Sequence, residues 1–173
     1  RALRETGLAA GEPPVRRGYP PSVFTALPRL VERAGPAAKG SITAFYTVLL
    51  EDAETADPIG EEVRSLLDGH IVLSPQLASA GHYPAIDIRQ SVSRLMGSLV
   101  APAIAQAAGR CRDWMARHDD AELLLRIGEY REGGDLRLDS AVQAHDDLEA
   151  FLRQSTDVFV PLAESQDQLA GIV

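Results

Sequence analysis

Hydrophobic and polar positions change rhythm once along this chain, close to residue 98. Before that point short apolar runs alternate between strand-like and helix-like spacing, with Gly and Pro between them. Gly11-Glu12-Pro13-Pro14 and Gly18-Tyr19-Pro20-Pro21 read as loops, because proline lacks a donor and pushes its predecessor out of the helical region. Ser22 is then placed to cap a helix through Phe24, Leu27, Leu30 and Val31 toward Gly35, with Pro28 marking a kink or a late start. The Ser41–Leu50 run, SITAFYTVLL, is apolar on both alternating faces, the pattern of a strand buried on both sides in a parallel sheet. A polar, acidic loop over Glu51–Asp57 follows, then a helix over Ile59–Leu67 with Val63, Leu66 and Leu67 on one face. Asp68-Gly69 ends it, and His70–Leu73 reads as a second short buried strand. Leu77 belongs to another short helix, and Tyr83–Ile86 to a third extended segment. Strand, helix and strand with short joins predict an α/β fold, with ligands at the strand carboxyl ends.

After Pro102 the spacing becomes helical. Ile104, Ala107, Ala108, Cys111, Trp114 and Met115 keep it, and Leu123, Leu124 and Ile127 continue it. Gly133-Gly134 breaks the run, and Leu138, Val142, Leu148, Phe151 and Leu152 form a further amphipathic face. Beyond Ser155 the pattern weakens, which predicts a frayed tail.

Composition narrows the class. The 173 residues are 45% hydrophobic and 24% charged, enough for a core and too balanced for a disordered tail. No apolar run approaches the roughly 20 residues of a membrane span, and Arg1–Glu5 precedes no apolar signal region. A single Cys111 excludes a disulfide framework and a Cys-rich zinc site, and suits a reducing compartment. The chain starts at Arg1, with methionine only at 96 and 115, so it is expected to be a piece of a longer polypeptide. The net charge of −8 is uneven: residues 1–40 carry seven basic and three acidic side chains, and residues 121–173 four against eleven. The acidic tail repels phosphates, and no basic patch with interleaved aromatics points to nucleic acid.

Most chemical constellations dissolve on inspection. Lys39 precedes its glycine in Gly35-Pro36-Ala37-Ala38-Lys39-Gly40-Ser41, and Pro36 removes an amide that a phosphate-binding nest would use, so this is a loop into a strand. His70, His82, His118 and His145 lie far apart, with none at metal-ligand spacing. Cys111 beside Trp114 on an apolar face reads as a packed thiol, and Asp119-Asp120 and Asp146-Asp147 as solvated helix ends or caps. No Gly-x-Ser-x-Gly elbow supports a serine nucleophile. Two features stand apart: the costly loop Gly11–Pro21, and Ser91-Val92-Ser93-Arg94 just past an extended segment. Spacing alone makes Arg94 a surface ion-pair residue, or a guanidinium fork offered to phosphate oxygens.

These two features belong to a larger set. Leu8–Pro14 (LAAGEPP), Arg17–Phe24 (RGYPPSVF), Gly40–Leu49 (GSITAFYTVL), Leu67–Ser74 (LDGHIVLS), His82–Asp87 (HYPAID), Ser91–Arg94 (SVSR), Arg126–Tyr130 (RIGEY) and Phe151–Gln154 (FLRQ) occur in this order over roughly residues 1–155. Together they closely resemble the carboxyl-terminal part of the type III secretion ATPases, relatives of the flagellar export ATPase and of the rotary ATP synthase α and β subunits.

The resemblance implies an α/β fold: the carboxyl-terminal half of a RecA-like P-loop ATPase domain at residues 1–98, followed by a small all-α domain at 99–173. It implies a homohexamer that hydrolyses ATP with Mg²⁺ to unfold and export effector proteins. Its partners would be export chaperone–effector complexes, a central stalk protein and a stator or regulator, at the cytoplasmic side of the bacterial inner membrane. Arg94 falls on the family's arginine finger, Tyr83 on an aromatic that lies against adenine, and Leu125 roughly on a second adenine contact. The Walker A loop, catalytic glutamate, Walker B strand and Mg²⁺ ligands would precede Arg1, leaving this chain alone without ATPase activity. Residues 51–57 lack the family's glycine and paired aspartates, Pro75 replaces a more usual basic residue, and the tail diverges past Ser155, although Phe151–Ser155 resembles the virulence branch more than the flagellar one. A binding module docking export chaperones or the stalk through the acidic helical segment, or a flagellar fragment, are the alternatives. A strand at 41–50 without its neighbours would leave an apolar edge that needs a partner or upstream polypeptide.

Overall fold

A computed structural model of the chain describes residues 1–50 and 57–173. Apart from Asp57, the acidic loop expected over Glu51–Asp57 lies outside the described residues. The chain divides into two compact units, Arg1–Asp68 and Gly69–Val173.

In the first unit, helix α1 (Ala2–Ala9) packs on α2 (Pro21–Val31) through Gly7, where an added Cβ would stand 2.8 Å from Pro20 Cγ. The Gly11–Pro21 loop is held by its own contacts. Val15 N–H donates to the Tyr19 carbonyl (3.0 Å) and Tyr19 N–H to the Arg16 carbonyl (2.9 Å), closing a turn with Arg17 and Gly18 at positive φ. Arg4 Nε donates to the Gly18 carbonyl (3.1 Å) while its guanidinium lies over the Tyr19 ring. Packing therefore accounts for this loop. Ser22 does not cap α2 as expected; Pro20 occupies that position, and the Ser22 N–H donates to Glu12 Oε2 (3.1 Å).

Strands β1 (Gly35–Pro36) and β2 (Ser41–Ile42) form an antiparallel hairpin closed by Ala37 N–H on the Gly40 carbonyl, with Lys39 in its turn. The long strand expected over 41–50 is corrected: only Ser41–Ile42 pairs, and no strand among the described residues lies along 43–50. Phe45 and Leu49 are 89% and 85% exposed. Contacts among the described residues tether the segment: the Tyr46 hydroxyl reaches the Leu30 and Val31 carbonyls at the end of α2 (3.4 Å each), and Leu50 packs over Gly60. Helix α3 (Pro58–Leu66) is capped by Asp57, whose Oδ1 accepts from the N–H groups of Ile59 (2.8 Å) and Gly60 (3.0 Å). It packs against α2, with Val23 and Val63 buried.

In the second unit, β3 (Gly69–Leu73) and β4 (Ile86–Ser93) pair antiparallel, Leu73 facing Ile86 and Gly69 facing Ser93, with a bulge between His70 and Val72. Gly69 is required there: a Cβ would lie 2.7 Å from the Val92 carbonyl oxygen. Asp87 folds the bulged strand, accepting from the N–H groups of Arg89 (3.0 Å) and Gln90 (3.1 Å). The short strand at His70–Leu73 forms as expected but is not buried, since Ile71 and Leu73 are exposed. Helix α4 (Pro75–Ser79), capped by Ser74, joins the two strands.

The remaining helices are α5 (Met96–Leu99), α6 (Pro102–Arg126), α7 (Leu136–Leu152) and α8 (Leu162–Ile172). Their core is Ala107, Cys111 and Ala121 of α6 with Ala141 and Leu148 of α7. The α6–α7 turn is organised by the buried carboxylate of Asp139, which accepts from the Tyr130 hydroxyl (2.7 Å) and the Gly133 N–H (2.9 Å). Leu123, Leu124 and Ile127 keep helical spacing but are exposed, so the apolar pattern there does not mark core. The tail does not fray: α8 packs on α6 and α7.

Candidate functional site

The strand β4 separates the two residues on which the functional expectation rests most heavily. Arg94 follows Ser93 directly, exposed, between the end of β4 and α5. Tyr83 lies at the other end, in the loop from α4 into β4. Through the register, Ile86 and Ser93 stand four residue steps apart along β3, roughly 13 Å. The hairpin therefore holds Arg94 and Tyr83 apart.

The Tyr83 loop is tied down on its backbone side. His82 N–H donates to the Leu77 carbonyl (2.9 Å), and Gln154 N–H, just past α7, donates to the Tyr83 carbonyl (2.9 Å). The Tyr83–Pro84 bond is cis. The Tyr83 side chain remains 57% exposed, leaving much of the ring able to meet a planar ligand. Leu125 is half-buried in the last turn of α6. A shallow cleft of about 40 Å³, lined by Met115, Asp119, His145, Leu148, Glu149 and Leu152, contains none of Arg94, Tyr83 and Leu125.

The histidines are closer than their numbering suggests. His118 of α6 and His145 of α7 stack with centroids 3.6 Å apart and planes 6° from parallel. They stand about equally far on either side of the Glu129–Gly134 loop, so folding the helical hairpin on paper would have paired them. Burial, then the neighbouring His145, pushes the His118 titration below its ordinary value, against the opposing pull of Asp119, Glu122 and Asp146. His82 is almost fully buried, with Nδ1 3.4 Å from Glu149 Oε2 and without a well-formed hydrogen bond. Among the described residues no three His, Cys, Asp or Glu side chains gather to hold a metal ion. Cys111 is buried, and that burial pushes its thiol up, as befits a packed thiol rather than a nucleophile.

With this geometry in place, comparison with known proteins decides the family. The profile of the ATP synthase alpha/beta family, nucleotide-binding domain, matches residues 1–93. The chain belongs to that family. A second profile, the T3SS EscN ATPase C-terminal domain, matches residues 100–171. Within the family the chain is the carboxyl-terminal portion of a type III secretion or flagellar export ATPase, with the expected RecA-like α/β part followed by helices. It is 58% identical over 157 residues to the type 3 secretion system ATPase of Sinorhizobium fredii, covering 91% of this chain and 35% of that relative. It superposes on the assembled ATPase EscN from the enteropathogenic E. coli type III secretion system with a TM-score of 0.96 at 50% identity, covering 99% of this chain and 42% of that one. EscN in complex with its central stalk EscO gives a TM-score of 0.88 at 49% identity, covering 99% and 41%. The chain thus spans well under half the length of these relatives. Full-length members of the family bind ATP and Mg²⁺.

Proposed function

We propose that this chain supplies a homohexameric type III secretion ATPase with its arginine finger and part of its adenine pocket. Tyr83 and Leu125 contribute to the adenine side of a subunit's own nucleotide site, and Arg94 reaches the nucleotide of the neighbouring subunit. The separation of Tyr83 and Arg94 across the β3–β4 hairpin is the observation that carries this reading: residues held at opposite ends of one hairpin suit two nucleotide sites better than one.

The chemistry follows from placement. A guanidinium aimed at the γ-phosphate stabilises charge that grows on its oxygens as the bond to the leaving group lengthens. Such a group is worth about a thousand- to a hundred-thousand-fold in rate. Arg94 is suited to this because it leaves directly from a paired strand end, with Ser93 fixed against Gly69. Bound Mg²⁺ would neutralise charge on the phosphates. We place its ligands, the P-loop lysine and the catalytic glutamate outside this chain, since the sole lysine, Lys39, sits in a hairpin turn.

Residues 1–98 would complete the ATPase domain and residues 99–173 form the helical domain. The hexamer would work with a central stalk, a stator or regulator and chaperone–effector complexes, using ATP to unfold and export effectors. We place it in the cytoplasm, peripheral to the inner membrane; among the described residues no helix is long and apolar enough to cross one. The test is Arg94→Ala in the whole ATPase. Turnover should fall at least about a thousandfold while ATP binding changes little, and equal losses in both would sink the finger assignment.

A further inference from the structure

Two motifs widely separated in sequence meet in the second unit without any function yet attached to their meeting. His82-Tyr83 enters β4, and Glu149–Gln154 ends α7. Gln154 N–H donates to the Tyr83 carbonyl at 2.9 Å. One turn earlier, Glu149 Oε2 accepts from Arg153 (3.0 Å) and lies 3.4 Å from the buried Nδ1 of His82. That nitrogen has no hydrogen-bond partner among the described residues, and the Glu149 carboxylate is the group it faces. Two adjacent residues of one loop are thus gripped by one helix end, while the Tyr83 ring stays largely exposed.

We propose that the end of α7 is a positioning clamp: Glu149, through His82, and the Gln154 backbone fix the loop that presents Tyr83 to adenine. The clamp links the helical segment to the base end of the nucleotide, and it rests on the reading of Tyr83 given above. Glu149 and Gln154 are positioning residues that need not touch the nucleotide. A rigid loop spares the nucleotide the cost of ordering it on binding, so loss of the clamp should weaken ATP binding more than it slows turnover at saturation.

The test uses the whole ATPase, assembled, with KM for ATP, kcat and unfolding midpoint measured on each variant. Glu149→Ala removes the carboxylate facing His82, whereas Glu149→Gln keeps an accepting oxygen. Gln154→Pro deletes the N–H on Tyr83, and Arg153, at φ −95° and ψ 133°, already has the backbone that a residue before proline prefers. Gln154→Ala retains that N–H. Losing either contact predicts KM raised about 3- to 10-fold in Glu149→Ala and Gln154→Pro, with kcat within about twofold. Glu149→Gln should recover most of the change, and Gln154→Ala should show less than half the effect of the proline variant.

If kcat and the unfolding midpoint fall while KM holds, the contacts are merely structural and the clamp is overturned. If Tyr83→Ala raises KM and neither clamp variant does, the clamp fails while the adenine reading of Tyr83 stands. If Tyr83→Ala leaves KM unchanged, the adenine reading fails and takes the clamp with it. Should Gln154→Pro not assemble, the contrast between Glu149→Ala and Glu149→Gln decides alone.

Discussion

The hydroxyl of Tyr130 donates to the buried carboxylate of Asp139 at 2.7 Å, and this bond closes the turn between the two long helices α6 and α7. Asp139→Ala would leave that hydroxyl and the Gly133 N–H without their acceptor. The expected loss is about 1–3 kcal/mol, seen as a lower unfolding midpoint by roughly 2–4 °C for each kcal/mol. A midpoint unchanged from the parent would show that the turn forms without this bond.

The same bond makes an alkaline prediction. Hydrogen bonding to Asp139 first, then burial, pushes Tyr130 up from 10.0 to about 12. Between those values the unfolded chain gives up this proton while the folded chain keeps it, so its contribution is full below about pH 10 and fades as pH rises through about 12. Tyrosinate absorbance should show Tyr130 ionising after the other tyrosines, and Tyr130→Phe should flatten the alkaline decline in stability.

At acid pH His118, stacked on the His145 ring, acts in the opposite direction. The folded state holds His118 below its ordinary value of 6.5, so the unfolded state takes up this proton first as pH falls. Stability from His118 is present above about pH 6.5 and is lost on acidification through that range. His118→Phe keeps a ring to stack and cannot titrate. Chemical denaturation across this range should therefore show a smaller acid loss in the variant than in the parent.

Phe45 and Leu49, both almost fully exposed, predict how the isolated 173-residue chain behaves. An unpaired apolar segment invites association. Light scattering at rising concentration should show self-association, and Phe45→Ser with Leu49→Ser should reduce it without lowering the unfolding midpoint. A sharp, cooperative melt of a concentration-independent monomer in the parent chain would contradict this.

Much of the fold could be read from local signals. Helices α3, α6 and α7 follow from apolar periodicity, with Gly133-Gly134 marking the break before α7. What failed did so because it depends on partners. A strand is a relation between two segments, and the apolar alternation of Ser41–Leu50 says nothing about whether its neighbour is present. The helix α8 was missed because its half-buried positions include Ser165 and Gln166, which dilute the apolar pattern. In the site, Arg94 and Tyr83 were legible through motifs, whereas the Glu149–His82 and Gln154–Tyr83 contacts join residues about 70 positions apart in sequence, beyond any local pattern.

The 173-residue chain by itself should release no phosphate from ATP in the presence of Mg²⁺, because we place the groups that hold the β- and γ-phosphates outside it. Magnesium-dependent phosphate release from the purified chain would overturn that division of labour.

Subunit mixing tests the trans assignment of Arg94 most directly. Whole ATPase carrying Arg94→Ala is co-assembled with whole ATPase lacking its P-loop lysine, each inactive alone. Interfaces that join an intact finger to an intact P-loop should then recover ATP turnover in mixed hexamers. Mixed hexamers that assemble, bind ATP and remain as inactive as either parent would contradict the assignment.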